Sequence, residues 1–336
     1  MKTEESLKTE RSVALTRELL QGAIDIHVHP GPHLKSSPRR VNPFEAAIEA
    51  REAGMRAIVL KDVFEMSNGT AWMVNQIVEG FHVYGGLILN TVYGGMNPRA
   101  FKTAVYYGDG AKYLDFGAHS TYYQAAKEGR YFDGVFKPLS EVYPKFREEE
   151  LGRAIRIPLD GTIPPELDEM LTLVAEHPDI YVDTGHVSPE EAMRIVELGK
   201  KYGYKKIVVS SSVSKVASID QLKTMAKKGA FIEYTIGAYT AAQMIPLTHY
   251  YVETEYSSVD EGMSKTAAGG IRHVAEAVQD IGTDKCIMST DFGRYALSTP
   301  VEGLRQYIAC MLDLGISPDD VQKMVKTNPE KLLGLD

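Results

Sequence analysis

Eight short apolar segments, each followed by a stretch with helical periodicity, constrain the fold of this 336-residue chain more than any other feature. Strands that alternate with helices predict an α/β fold with a parallel sheet, and eight such units predict a (β/α)8 TIM-type barrel. The segment at 56–61 is apolar on both faces, as a buried parallel strand should be. The predicted strands lie near residues 23–29, 56–61, 81–90, 111–116, 179–183, 206–209, 230–233 and 285–290.

Two stretches interrupt this alternation and are predicted to be insertions. Residues 129–163 follow strand four and residues 234–265 follow strand seven. Residues 1–20 are predicted to be a helical lead-in to a single barrel domain spanning 1–336. A doubly wound open sheet is the alternative fold. It would usually carry a glycine-rich phosphate turn after strand one, where this chain has the sequence His-Pro-Gly-Pro-His.

Composition excludes some partners and leaves others open. The chain has 37 basic and 45 acidic residues, so its net charge of −8 argues against nucleic acid or an anionic membrane as the main partner. The charged N-terminus lacks the apolar region of a signal peptide, and no apolar run is long enough to span a bilayer. A cytoplasmic protein with reduced Cys286 and Cys310 is expected. Its expected partner is a small-molecule substrate, and it could form a homo-oligomer.

The first strand carries two histidines that predict a metal site. His27 and His29 are two residues apart, so their side chains project from the same face of the strand. Active sites of such barrels lie at the carboxyl ends of the strands, where His186 follows strand five and Asp291 follows strand eight. Taken alone, His186 could cap a helix and Asp291 could belong to a turn. Together, the four residues predict a metal centre.

Other polar residues at the predicted strand ends are candidates for contacts with a substrate. Arg294 could bind a carboxylate or phosphate, whereas Arg39 and Arg40 are interpreted as solvated loop charges. Tyrosines in the loop after strand seven could line the mouth of the barrel, pack the loop or form a subunit contact. The predicted substrate-binding residues are Arg294, His119, Glu233, Ser211 and Tyr234.

The ordered motifs resemble the amidohydrolase superfamily. They are Asp-Ile-His-Val-His at 25–29, Thr-Gly-His at 184–186 and Ser-Thr-Asp at 289–291, and residues 328–335 resemble the closing segment of many members. The stretch 84–98 looks like a poorly characterised branch. The resemblance runs from about residue 22 to the end. It implies a distorted (β/α)8 barrel with one or two divalent metals that hydrolyses amide, ester, lactone or related bonds. It also implies that His27, His29, His186 and Asp291 are metal ligands and that Asp291 is the general base.

Two departures from the superfamily pattern stand out. Members usually have a histidine after strand six, where this chain has three serines at 210–212. A two-metal member usually has a bridging carboxylated lysine or a glutamate after strand four, but this strand ends near Asp115 and Phe116. Lys61 and Glu233, from other strands, are possible substitutes. Both departures favour one metal ion over two.

The sequence therefore predicts a metal-dependent hydrolase of a small molecule, and the substrate could bear a carboxylate. Nitrogen and oxygen ligands suit Zn²⁺ best, although Mn²⁺ and Fe²⁺ also fit. The ion would activate water and polarise a carbonyl, with Asp291 as the base. Lys61 is predicted to be catalytic, stabilising a developing oxyanion, or else to be a solvated strand end. A metal-dependent lyase on the same site, either a decarboxylase or a hydratase, and a non-catalytic ligand-binding barrel are the alternatives.

Overall fold

The computed structural model describes residues 13–35, 37–132, 135–239 and 270–335, and these form a mixed α/β fold built on parallel sheets. One sheet has the order β1-β2-β3 and the other has the order β11-β10-β9-β8-β5-β4. Within both sheets the paired strands are parallel, whereas β6 and β7 form a separate antiparallel hairpin. The strands are β1 Ile24–Val28, β2 Ala57–Leu60, β3 His82–Tyr84, β4 Leu87–Ile88, β5 Tyr113–Asp115, β6 Gly129–Phe132, β7 Val135–Pro138, β8 Tyr181–Asp183, β9 Ile207–Val209, β10 Phe231–Thr235 and β11 Cys286–Ser289.

Helices follow the strands along the described chain, as the alternation predicts. Several of them begin with a capping box: the Ser188 hydroxyl accepts the Glu191 N–H at the start of Pro189–Tyr202, and Asn42 accepts the Glu45 N–H in the same way at the start of Pro43–Glu52. The helices are 13–20, Pro43–Glu52, Ser67–Ile77, Pro98–Tyr106, Tyr122–Ala125, Leu139–Val142, Pro165–Glu176, Pro189–Tyr202, Ser211–Ser214, Ile219–Lys227, Gly270–Ile281, Pro300–Asp313, Pro318–Gln322 and Asn328–Leu333. Short 3-10 or π segments lie at Thr91–Tyr93, Arg147–Leu151, Ile236–Tyr239, Thr283–Lys285 and Lys323–Thr327.

The eight predicted strands correspond to nine observed segments because the third is divided into β3 and β4. Gly85 and Gly86 separate the two segments. A Cβ atom at Gly86 would lie 2.5 Å from the carbonyl oxygen of Tyr113, and one at Gly85 would lie 2.4 Å from the backbone of Ser67. The glycine pair therefore lets the chain pass unusually close to its neighbours where it leaves one sheet and enters the other.

The predicted insertions have different outcomes. The range 129–163 contains the β6–β7 hairpin and the helix Leu139–Val142, and Leu139 and Phe146 belong to a small separate apolar cluster. The range 234–265 lies mostly outside the described residues, which stop at 239 and resume at 270, and so do residues 1–12 of the lead-in. Within the described ranges, no helix is both long and apolar enough to cross a membrane.

The carboxyl end of β1 is held against the segment that follows β11. The Asp291 N–H donates to the carbonyl of His27 at 2.9 Å, and the His29 N–H donates to that of Phe292 at 2.8 Å. The buried Asp25 carboxylate, also on β1, accepts hydrogen bonds from the N–H and the hydroxyl of Thr290. These contacts bring together the two histidines at the carboxyl end of the first strand and the aspartate after the last strand.

Candidate metal centre

His27, His29 and Asp291 form a compact cluster of possible metal ligands. Their ligand atoms all lie within 4.8 Å of one another. The Nε2 atoms of the two histidines are 3.1 Å apart, and Asp291 Oδ1 lies 3.1 Å from His29 Nε2 and 3.8 Å from His27 Nε2. A tetrahedral ion with bonds of about 2.0–2.2 Å keeps its ligand atoms about 3.3–3.6 Å apart. The three observed distances bracket that spacing, so the cluster fits one divalent ion.

Hydrogen bonds at the opposite ring nitrogens orient both imidazoles. His27 Nδ1 lies 3.0 Å from Glu233 Oε1, and His29 Nδ1 lies 2.6 Å from the backbone carbonyl of Lys61. A carbonyl oxygen can only accept, so His29 carries its proton on Nδ1 and presents the Nε2 lone pair to the cluster. His27, donating to a carboxylate, does the same when it is neutral. In metal-binding histidines, the ring nitrogen that does not bind the metal commonly donates a hydrogen bond to a carboxylate or a backbone carbonyl in this way.

The electrostatics of the cluster favour a cation between these atoms. Burial would lower the pKa of His27, but the Glu233 carboxylate outweighs burial and raises it to about 9. Burial lowers the pKa of His29 to about 4. Burial opposes ionisation of Asp291, yet the adjacent His29 ring and the charge of His27 hold its pKa well below the usual range. Without an ion, His27 therefore carries a proton at neutral pH, and a bound cation would replace that proton between the two imidazoles and the carboxylate.

Asp291 is placed by a backbone conformation that side chains rarely adopt. Its φ of 56° is positive, and it is the one non-glycine residue with positive φ in the described part of the chain. Such strain is stored at functional sites more often than elsewhere. Two residues later, Gly293 has a φ of 156°, and a Cβ atom there would lie 1.6 Å from the carbonyl oxygen of His29. The strand-eight turn is therefore pressed closely against the strand-one histidine.

His186 lies near the cluster but is not one of its three members. Its backbone N–H donates to the carbonyl of Gly117 at 2.7 Å, and its Nδ1 atom is buried without a hydrogen-bond partner among the described residues. Burial holds its pKa well below the ordinary value, which keeps the ring neutral. Its ring centroid is 5.5 Å from that of His119, whose Nδ1 atom lies 2.5 Å from Glu128 Oε1. The assignment of His186 as a metal ligand stays a prediction.

Lys61 is buried in an ion-pair cluster and is not a solvated strand end. Its side chain is 1% exposed, and its ammonium contacts the carboxylates of Asp115 and Asp183, at 3.1 Å in the case of Asp115. Burial would lower the pKa of Lys61, but the two carboxylates raise it well above the ordinary value. The structure thus shows a charged lysine already paired with two acids. A catalytic role at an oxyanion stays a prediction.

The remaining residues predicted after strands six and seven occupy supporting positions. Glu233 is fully buried and accepts hydrogen bonds from His27, from the Ser289 hydroxyl at 2.6 Å and from the Ser211 N–H at 3.2 Å. These contacts lower its pKa to about 2 against the effect of burial. Tyr234 is also fully buried, and its ring belongs to the main hydrophobic core. Their direct contact with a substrate stays a prediction.

Arg39 departs from its interpretation as a solvated loop charge. It is half-buried, and it pairs through an antiparallel bridge with Arg294, whereas Arg40 is exposed as expected. Sequence reasoning also missed Asp25 and Thr290 as the link between the first and last strands. The Asp-x-His-x-His spacing offered a signal for Asp25, because residues i and i+2 share one strand face. The pairing of Arg39 with Arg294 depends on tertiary structure and left no such signal.

Comparison with known proteins identifies a family and a fold. A family model described as a family of unknown function, DUF6282, matches residues 22–233. Comparison with curated proteins gives no match.

Solved structures with the same fold include three bacterial proteins. The probable dipeptidase PvdM from Pseudomonas aeruginosa is 13% identical with a TM-score of 0.61, covering 97% of this chain and 98% of that one. An amidohydrolase from Pseudomonas aeruginosa is 13% identical with a TM-score of 0.57, covering 96% and 98%. A putative 2-pyrone-4,6-dicarboxylic acid hydrolase from Pseudomonas putida is 12% identical with a TM-score of 0.54, covering 94% and 98%.

Proposed function

Because the chain belongs to the DUF6282 family, a family of unknown function, we propose an activity from the site itself: metal-dependent hydrolysis of an amide, ester or lactone-type bond in a small molecule. One observation carries the proposal. The Nε2 atoms of His27 and His29 and the Asp291 carboxylate converge within bonding distance of one ion, and acceptors at both Nδ1 atoms hold the rings in place. The hydrolase descriptions of the structures that share the fold support it.

Zn²⁺ suits the two imidazoles and one carboxylate best, and Mn²⁺ and Fe²⁺ are the alternatives. His27, His29 and Asp291 would leave more than one coordination position open, and a catalytic site requires that at least one stays open. His186, neutral and with a free Nδ1 atom nearby, is our candidate for a fourth ligand. We favour one ion because Lys61, the candidate for a bridging ligand, is paired with Asp115 and Asp183 instead.

When bound, a divalent ion polarises a substrate carbonyl and makes a nearby water more acidic. In the proposed mechanism, Asp291 accepts the proton of the attacking water and later returns it to the leaving group. With an ion bound, His27 and His29 would both be neutral, and Glu233 and the Lys61 carbonyl would hold their Nδ1 protons and fix the two rings. The positive φ of Asp291 fixes the direction of its carboxylate before substrate arrives.

We further propose that the two parallel sheets form one (β/α)8 barrel and that this barrel is a single domain. On one side, the hydrogen bonds between β1 and residues 291–292 support closure. On the other side, the interrupted third strand belongs to both sheets, since β3 pairs with β2 and β4 pairs with β5. This arrangement would place the carboxyl ends of all eight strands around the candidate metal centre.

Metal analysis and product identification of the purified protein test the proposed function. We expect about one equivalent of a transition metal per chain. We also expect the protein to hydrolyse at least one compound in a panel of amides, esters and lactones. His27→Ala should lose both the metal and the activity. His177→Ala is the control. It removes a histidine that is hydrogen-bonded to Tyr106 and is not part of the cluster, so metal content and turnover should both stay unchanged. A product mass that includes added water identifies hydrolysis, whereas a decarboxylated or hydrated product identifies a lyase. Absence of metal and turnover would leave only the binding-protein alternative.

A further inference from the structure

The serines after strand β9 stand where members of the superfamily usually have a histidine. The Ser210 N–H donates to the Thr184 hydroxyl at 2.9 Å, and the Ser210 hydroxyl donates to the carbonyl of Gly185. The Ser211 hydroxyl lies 2.8 Å from that of Thr235 and accepts the Thr235 N–H at 3.2 Å. Both serine side chains are therefore engaged with the ends of the neighbouring strands β8 and β10, and neither belongs to the cluster of possible metal ligands.

The turn that these serines form leads directly to Lys215. Ser211–Ser214 is a short helix after β9, and the Lys215 N–H donates to the Ser211 carbonyl at 3.2 Å. Two further bonds fix this helix to β10: the Ser211 N–H donates to the Glu233 carboxylate at 3.2 Å, and the Ser214 hydroxyl donates to the Glu233 carbonyl at 2.7 Å. Glu233 also orients His27 of the cluster. One turn of helix thus separates Lys215 from a residue that supports the candidate metal centre.

The Lys215 ammonium interacts electrostatically with residues on both sides of its own strand. Burial lowers the pKa of Lys215, and the Asp291 carboxylate partly offsets that effect. Burial also lowers the pKa of His186, and the charges of His119 and Lys215 lower it further. Asp291 follows β11 and His186 follows β8, and β9 lies between these two strands in the sheet. An ammonium that acts on both residues must lie over the carboxyl ends of the strands, where active sites of this fold are found.

Lys215 is exposed and has no partner for its charge. In the described parts of the chain, its ammonium makes neither an ion pair nor a hydrogen bond, whereas Lys61 is buried and paired with two carboxylates. The Lys215 side chain is exposed to solvent, although the surrounding protein is close enough for burial to lower its pKa. A group that lines an open recess has both properties. Its three N–H donors are therefore accessible to a molecule that enters the site.

We propose that Lys215 binds a carboxylate of the substrate, so that strand six contributes a cation to the site in place of a metal ligand. The inference rests on the proposed function for its location, because it assumes that a substrate reacts at the neighbouring cluster. An ammonium attracts a carboxylate through its charge and donates hydrogen bonds to it. Held at Lys215, one end of the molecule is fixed while the bond to be hydrolysed lies toward Asp291. The site would thus select small acids over neutral molecules of the same shape.

Calorimetric titration of the purified protein with succinate tests the proposal, with uncharged dimethyl succinate as the matched probe. We expect saturable one-to-one binding of succinate and none of the diester. Lys215→Met should weaken succinate binding about tenfold or more, because it removes charge-assisted hydrogen bonds, and Lys215→Arg should keep part of the affinity. Lys227→Met removes an exposed lysine at the end of the helix Ile219–Lys227 and should bind like the wild type. Tighter binding of inorganic phosphate than of succinate would overturn the assignment to a carboxylate.

A labelling experiment on the wild-type protein locates the bound succinate without any substitution. Brief acetylation of exposed lysines, followed by peptide mass spectrometry, measures how fast each lysine reacts. Saturating succinate should slow the acetylation of Lys215 several-fold and leave that of Lys227 unchanged. Equal rates at Lys215 with and without succinate would overturn the proposal, even if Lys215→Met failed to fold.

Metal content and thermal unfolding, measured on the same variants, separate this proposal from the function on which it rests. A folded Lys215→Met protein that keeps its metal but loses succinate supports the lysine site. Equal succinate binding by Lys215→Met and Lys227→Met would overturn the site, whatever the metal content. A wild-type protein that binds succinate through Lys215 but holds no metal would remove the hydrolase proposal alone.

Discussion

Gly293 is the residue whose replacement tests the geometry of the cluster most directly. A Cβ atom there would lie 1.6 Å from the His29 carbonyl oxygen, so Gly293→Ala must displace either His29 or the turn that carries Asp291. We expect a loss of about 2–4 kcal/mol in the free energy of unfolding and a lower metal content. Urea unfolding and elemental analysis of the same preparation measure both effects.

Gly161→Ala is the control for that substitution. Gly161 also has a positive φ, at 67°, but a Cβ atom there would meet nothing within 4 Å. The Gly161→Ala variant should therefore lose only about 1 kcal/mol in its free energy of unfolding, which is the cost of the backbone conformation, and it should keep its metal. If both variants behaved alike, the close approach of the strand-eight turn to His29 would have no consequence for the site.

Glu233 supports the cluster without belonging to it. The carboxylate holds the Nδ1 proton of His27 and also accepts bonds from Ser289 and the Ser211 N–H, which leaves no place for the N–H₂ group of a glutamine. Glu233→Gln should weaken metal binding about 10–100-fold, the usual effect of removing such a partner. Competition with a chromophoric chelator measures the affinity. Glu302→Gln, which changes a partly exposed carboxylate paired with Arg305, should leave the metal affinity unchanged.

At the scale of secondary-structure elements, Lys61 joins three strand ends. It follows β2, and its ammonium contacts Asp115 on β5 and Asp183 on β8. Lys61→Met leaves two buried carboxylates without a cation, which should cost about 3–5 kcal/mol near pH 7. The backbone carbonyl that accepts the His29 proton remains in this variant, so a change in metal affinity should be smaller than the change in stability.

The pH dependence of that loss has a definite sign. Without the ammonium, burial raises the pKa of Asp183 further. When the pKa of an acid is higher in the folded than in the unfolded protein, the free energy of unfolding falls as pH rises from the unfolded pKa to the folded pKa. Urea unfolding at pH 5 and pH 8 should therefore show the larger loss at pH 8. The triple variant Lys61→Met, Asp115→Asn, Asp183→Asn should recover much of the stability. An equal loss at both pH values would mean that the carboxylates stay exposed to water.

The elements were largely predictable from the sequence because their signals are local. Apolar runs, helix caps such as Ser188 and the i, i+2 spacing of His27 and His29 each act within a few residues. The division of the third strand at Gly85 and Gly86 was not predicted, since its cause is contact with Ser67 and Tyr113 from other elements. The ion pairs of Lys61 with Asp115 and Asp183 and the burial of Arg39 were not predicted either, because the residues that they contact are far away in sequence.

At the scale of the whole molecule, a bound ion would act as a link between the two ends of the chain. His27 lies on the first strand and His29 directly follows it, whereas Asp291 follows the last strand. An ion that binds only the folded chain stabilises it by about 2.7 kcal/mol at a free concentration 100 times the dissociation constant. For a chain of this length, that corresponds to a Tm higher by about 4 °C.

Chelation should therefore lower the Tm of the wild type by a comparable amount, and added Zn²⁺ should restore it. His29→Ala should unfold at the same temperature with and without chelator, because it cannot hold the ion in either condition. Differential scanning calorimetry of both proteins makes the comparison, and a wild-type Tm that ignores both chelator and Zn²⁺ would contradict the metal centre.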